Sequence, residues 1–170
     1  EQSTFPQEVP QIAAANPDAV FYAGYEVEAP YLRLELVEAG LTVPFVASDG
    51  AFLAATIDEA ASAAEGMYVS AFGPQPQAAV DATWIKEYQA VEYRNPDTYS
   101  INGFAALEVL AEGVREAGSL DAGQVADAIR GLANVETPMG PLSFGAEGDL
   151  RDPKIYIFQV QEGDWVQVYP

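Results

Sequence analysis

Two short strings carry the side chains best suited to hold a small molecule, Gly24-Tyr25-Glu26 and Ser48-Asp49-Gly50. Each contains a glycine, which lets backbone approach a ligand closely. Tyr25 adds a phenol that can stack or hydrogen-bond, and Asp49 adds a carboxylate that can hold a cation. The bland alternatives are a surface or core tyrosine and an ordinary Asp-Gly turn. What favours a site is position, because ligands of open α/β sheets bind beyond the carboxyl ends of parallel strands. Both strings follow runs that read as such strands, Ala19 to Ala23 and Val43 to Ala47.

Covalent chemistry is harder to build. Cysteine and histidine are both absent from the 170 residues, so thiolate nucleophiles, disulfides, histidine bases and zinc sites built on sulfur or imidazole are excluded within this chain. Paired carboxylates do acid–base work in glycosidases. Here, however, Glu26, Glu28, Glu35, Glu38, Asp58, Glu59, Glu112 and Glu116 fall mostly on the polar sides of predicted helices, where they solvate the surface. No segment has the spacing of an EF-hand loop, a P-loop or a dinucleotide fingerprint. No catalytic residue, metal ligand or cofactor is therefore assigned. With 26 acidic against 7 basic residues the formal charge is −19, which repels a phosphate backbone or an anionic membrane surface, so no nucleic-acid partner is expected.

The elements that must position these strings follow from periodicity. Phe5, Val9, Ile12 and Ala13 recur at helical spacing until Asn16-Pro17. After the first strand a helix runs from about Val27 to Ala39, with Ala29, Leu32 and Leu36 on one face and Gly40 as its C′ residue. Phe52, Ile57 and Ala60 suggest another helix, and Met67 to Ala71 a third strand. This βαβαβ alternation implies a parallel sheet. Gly73-Pro74-Gln75-Pro76 reads as a linker, beyond which the chain turns helical: Val80, Trp84, Tyr88 and Val91 on one helix, Phe104, Leu107, Leu110 and Val114 on a second that Gly118 stops, and Val125, Ile129 and Leu132 on a third with Asp121 and Gln124 at capping-box spacing. Ile155 to Val160 and Trp165 to Tyr169 predict a closing hairpin. Near the start, Glu1 to Phe5 lacks the basic residues and apolar core of a leader, and no apolar run approaches the roughly 20 residues of a membrane span. A leader removed or never included is the expectation.

Several strings, ordered and correctly spaced, carry a family resemblance. Asn16-Pro17-Asp18-Ala19-Val20-Phe21-Tyr22-Ala23-Gly24-Tyr25, then Gly40-Leu41, Pro44-Phe45, Ser48-Asp49-Gly50, Ala64-Glu65-Gly66, Gly103-Phe104-Ala105-Ala106-Leu107, Thr137 to Phe144 and Glu147-Gly148-Asp149-Leu150 resemble the type I periplasmic binding proteins, closest to the leucine/isoleucine/valine-binding group. The resemblance covers nearly the whole chain. It implies an α/β fold of two Rossmann-like lobes, each a parallel sheet flanked by helices, with the chain crossing between them, and it implies that only the C-terminal half is present. Residues 1–70 would belong to lobe II, 71–154 to lobe I, and 155–170 to a return into lobe II. The crossings near Ser70 to Pro74 and Asp152 to Lys154 would serve as hinge strands.

By the same resemblance, Asp49 corresponds to the acid that holds a ligand ammonium group, Tyr25 to an aromatic after the preceding turn, and Tyr99 to an aromatic lining the side-chain pocket. The amino-acid binders of the family carry glutamate in place of Asp49 and phenylalanine in place of Tyr99. The implied function is capture of a small amino acid, or a related small amide or acid, and delivery to an ABC transporter permease, without catalysis. The alternative is a ligand-sensing regulator or receptor domain of the same fold. The implied location is periplasmic or extracellular, with a lipid anchor compatible with it, and the implied partners are the solute, the permease and the missing N-terminal half.

Overall fold

The computed structural model describes residues 2–97 and 99–169. They form two compact units, unit 1 from residues 1–72 and 155–170 and unit 2 from residues 73–154. Unit 1 contains α1 (Glu8–Ala15), β1 (Val20–Tyr22), α2 (Ala29–Glu38), β2 (Phe45–Ala47), α3 (Ala54–Ala60), β3 (Tyr68–Ala71), β4 (Tyr156–Gln161) and β5 (Asp164–Tyr169). Its strands lie in the order β1-β2-β3-β4-β5, with β1, β2 and β3 mutually parallel and the hairpin added antiparallel beside β3. The fold is thus α/β, with the parallel sheet that the βαβαβ rhythm implies.

The local signals act through identifiable bonds. Helix α1 stops at Asn16, which takes a left-handed conformation at φ 46° and returns its N–H to the Ala13 carbonyl. Helix α2 ends as the Gly40 signal predicts. The Gly40 N–H reaches the Val37 carbonyl and the Leu41 N–H reaches the Leu36 carbonyl, a paired closure that needs the positive φ of 85° glycine adopts readily. Between β4 and β5 the two-residue turn Glu162-Gly163 has positive φ at both positions, the geometry whose twist matches a hairpin.

One core joins these pieces. Leu36 from α2, Phe45 from β2, Met67 and Val69 around β3, and Phe158 and Val160 from β4 are all buried. Phe52 packs its ring 4.4 Å from Phe158 and edge-on to Trp165 at 5.4 Å, and the Trp165 indole N–H donates to the Leu53 carbonyl. The buried Arg33 donates from Nε to the Ala63 carbonyl at 2.9 Å and lies over the Phe45 ring. Burial holds its guanidinium below the usual arginine range.

Unit 2 is helical: the short α4 (Pro76–Ala79), then α5 (Ala82–Glu92), α6 (Ser100–Ala117) and α7 (Ala122–Gly131). Aspartates open two of them, Asp81 accepting the Trp84 N–H and Asp121 the Gln124 N–H. Among the described residues this unit forms two isolated antiparallel bridges, Val135 with Leu142 and Phe144 with Leu150, and no longer strand. The helix that Phe104, Leu107, Leu110 and Val114 predict forms and stops at Gly118, but its buried face is a different one. The α6 face buried in the unit is Ile101, Ala105, Val109 and Gly113, while Phe104, Leu107 and Leu110 stay exposed. Small residues on the first face let α7 come close, since a methyl added at Gly113 would sit 2.4 Å from Ile129.

The start of α6 is held by a polar cluster. Ser100 has one hydroxyl proton and donates it to Asp97 Oδ1 at 2.9 Å, so the Tyr88 hydroxyl, 2.8 Å away, is the donor in their contact. Arg94 pairs with the other Asp97 oxygen. Burial pushes the Asp97 carboxyl up, but the Ser100 hydrogen bond and Arg94 outweigh it and hold the pKa below the usual value. A lowered carboxylate pKa adds stability that is complete above the ordinary aspartate range and is lost as pH falls through the folded value. Asp97→Asn is therefore expected to flatten the acid side of the pH–stability profile, read by thermal unfolding from pH 7 to pH 3. A profile that runs parallel to the parent's would remove Asp97 as a contributor.

Candidate functional site

The carboxyl ends of β1 and β2 open into adjoining loops of unit 1. Strand pairing sets Tyr22 beside Ala47, so the next residues of both strands leave the sheet together. The Ser48 N–H then donates to the Tyr22 carbonyl at 3.0 Å, the Ser48 hydroxyl to the Gly24 carbonyl at 3.0 Å, and the Glu26 N–H to the Gly50 carbonyl at 2.9 Å. Three bonds clasp the loops. Gly50 sits at their closest approach: a methyl there would lie 2.6 Å from the Gly24 carbonyl oxygen and 2.8 Å from the Tyr25 ring. No side chain larger than hydrogen fits without separating the loops.

This join brings two of the sequence-selected residues onto one end of one sheet. Tyr25 packs against Gly50 and is 68% exposed. Asp49 is half-buried at the start of a single 3-10 turn, Asp49–Ala51, whose close is the bond from the Phe52 N–H to the Asp49 carbonyl. Below the loop, the Tyr22 hydroxyl donates to Glu28 Oε2 at 2.9 Å, and burial together with that carboxylate pushes the phenol up to about 12. The Tyr22 phenol thus keeps its proton at neutrality and acts as a fixed strut onto Glu28.

The third selected residue, Tyr99, belongs to unit 2. It precedes α6, accepts the Gly103 N–H on its carbonyl, and lines a groove of about 600 Å³ between α5 and α6. Spacing marks Ser48 only as part of its turn string and leaves Phe72 aside. Ser48 forms the clasp, and Phe72, half exposed, follows the carboxyl end of β3. The strand-end rule that selected Tyr25 would also have selected Phe72, whereas the Ser48 bond depends on loop adjacency that spacing does not reveal.

Chemically the unit 1 site offers an acid, a phenol, exposed aromatic surface and backbone groups. Among the described residues, no group of three or more acidic, histidine or cysteine side chains could hold a metal ion. A parallel α/β sheet whose strand-end loops are clasped around such groups has the construction of a small-molecule binding protein.

The chain belongs to the periplasmic binding protein family, which it matches over residues 1–164. It is 27% identical over 156 residues to Leu/Ile/Val-binding protein homolog 1 of Brucella suis biovar 1, covering 91% of this chain and 42% of that protein. It is 29% identical over 155 residues to the leucine-, isoleucine-, valine-, threonine-, and alanine-binding protein of Pseudomonas aeruginosa, covering 89% and 40%. In fold it is similar to a leucine binding protein of Thermotoga maritima MSB8, with a TM-score of 0.86 at 24% identity over 98% of this chain and 48% of that one. The chain therefore spans about two fifths of the length of the curated relatives it matches. The family is one of binding proteins, not enzymes. Among the described residues no helix is long and apolar enough to cross a membrane.

Proposed function

We propose that this chain forms the C-terminal half of an extracytoplasmic binding protein that captures a small amino acid, or a related small amide or acid, and hands it to an ABC transporter permease. Unit 1 is then part of one lobe and unit 2 part of the other. The observation that carries this reading is the clasp of the Tyr25 and Asp49 loops at the carboxyl ends of two parallel strands. Asp49 receives the ligand ammonium group, and Tyr25 and Tyr99 cover its apolar part. The names of the Brucella and Pseudomonas relatives, which cite aliphatic amino acids and threonine, support that solute class.

The test is a mass-spectrometric screen of small molecules retained by the purified full-length protein, followed by calorimetry with a panel of amino acids and the matching deaminated acids. Tight binding of amino acids only is expected. Equal affinity for the deaminated acids would reject a role for Asp49 as the ammonium partner, and with it the amino-acid reading.

The same panel checks Tyr99. Removing one hydroxyl from a ligand wall exchanges a hydrogen-bonding contact worth about 0.5–1.5 kcal/mol, so Tyr99→Phe is expected to shift the affinity ratio of apolar to polar ligands by about threefold to tenfold without unfolding the protein. An identical ranking for variant and parent would make Tyr99 structural only.

A further inference from the structure

Tyr25 is largely exposed, and the groups that set its place lie beneath it. Its carbonyl accepts the Glu28 N–H at 3.2 Å and the Ala29 N–H at 3.0 Å, the amides that open α2. Gly24, just before it, rests on the Tyr22 side chain: a methyl there would lie 2.2 Å from the phenol oxygen and 2.3 Å from the ring carbon that bears it. The Tyr22 ring is stacked at 6.2 Å on Phe45, which is buried in the core of unit 1 and backs this support. The phenol hydroxyl reaches on to Glu28 Oε2 at 2.9 Å, and Glu28 Oε1 accepts the Gln2 N–H at 3.1 Å. Both carboxylate oxygens are thereby used, one on the end of β1 and one on the segment that leads into α1.

A tyrosine that had only to satisfy its own hydroxyl could use any acceptor within reach, water included. Here the acceptor is the side chain of the residue whose own N–H binds the Tyr25 carbonyl. Tyr22 thus meets the Tyr25 backbone twice, through Gly24 from below and through Glu28 from the helix side. The phenol–carboxylate bond is charge-assisted, among the stronger kinds. We propose that Tyr22 and Glu28 are positioning residues that act on the solute through Tyr25, holding its loop in the binding arrangement before the solute arrives. A side chain ordered in advance spares its ordering cost on binding. That Tyr25 meets the solute rests on the reading given above; that Tyr22 and Glu28 set its position does not.

The experiment uses the full-length protein and Tyr22→Phe, which removes one oxygen and keeps the ring on Phe45. Without solute, hydrogen exchange is followed at the Glu26 and Ala29 amides, which donate to the Gly50 and Tyr25 carbonyls. Both are expected to exchange at least about tenfold faster in the variant, the size of a lost hydrogen bond to a charged group, while the amides of β3 and β4 keep the parent's rates. Unchanged rates at Glu26 and Ala29 would overturn the proposal. So would an equal acceleration in β3 and β4, which marks a bond that serves general stability alone.

Calorimetry with L-leucine supplies the second readout, through Tyr22→Phe, Tyr25→Ala and the double variant. Residues that act as a unit are not additive. Tyr22→Phe is therefore expected to weaken binding about fivefold to tenfold in the parent and not at all once Tyr25 is replaced by alanine. Equal losses in the two backgrounds would overturn the proposal. Failure of L-leucine to bind the parent would count against the amino-acid reading, and the exchange rates would still decide whether Tyr22 positions the loop.

Discussion

Replacing Asp49 by alanine is expected to weaken amino-acid binding by the full-length protein at least about 30-fold. Truncating one member of a desolvated, hydrogen-bonded charge pair costs about 2–5 kcal/mol, much of it the penalty of leaving the other charge buried without its partner. The position suits this role, because Asp49 is half-buried at the head of a turn that the Ser48 and Gly50 contacts tie to the neighbouring loop. Calorimetry on Asp49→Ala and Asp49→Asn checks it. The asparagine variant keeps the shape and removes the charge, so a loss shared by both assigns the effect to electrostatics. Unchanged affinity in either variant would remove Asp49 from the site.

The largest expected effect on stability lies at Phe158. Its side chain is fully buried on β4, packs against Phe52, and lies in the strand that completes the sheet beside β3. Phenylalanine-to-alanine changes in cores cost about 3–5 kcal/mol, from lost transfer energy and the cavity left behind. Whole domains are stable by only about 5–15 kcal/mol. Phe158→Ala is thus expected to remove a large share of the stability of unit 1, visible as a lowered denaturation midpoint with an unchanged slope. A shift equivalent to less than about 1 kcal/mol would mean that the hairpin is dispensable to the core.

The parallel strands were legible in the sequence because each is a short apolar run closed by a turn signal, and their helices because Gly40, Asn16-Pro17 and Asp121 mark ends by bonds local to the chain. Local marks can also be overlooked: the aspartate cap at Asp81 follows the same rule, yet Val80 drew the expected helix across it. The burial of α6 was not legible, for a physical reason. It has apolar residues on two faces, and periodicity detects a face without saying which neighbour covers it. The small residues Ala105 and Gly113 allow close approach of α7, while the larger Phe104 and Leu107 face outward. At the candidate site, the strand-end rule selected the loops of Tyr25 and Asp49. The Ser48 clasp and the Tyr22–Glu28 strut depend on contacts across loops or turns, and spacing carries no record of them.

The register of the sheet bears on the order of folding. Ala71 and Tyr156 are direct cross-strand partners, so the whole of unit 2 is an excursion between two neighbours on one ladder. On the ribosome, β1, β2 and β3 emerge before β4, so β3 lacks this partner until the whole of unit 2 has been made. Closing such a long loop adds little to the free-energy cost of folding, because the entropy grows only as the logarithm of loop length, but it raises the mean separation of contacting residues and slows the search. For that interval the free side of β3 is an unpaired edge, the surface on which a nascent chain is most exposed to wrong pairings.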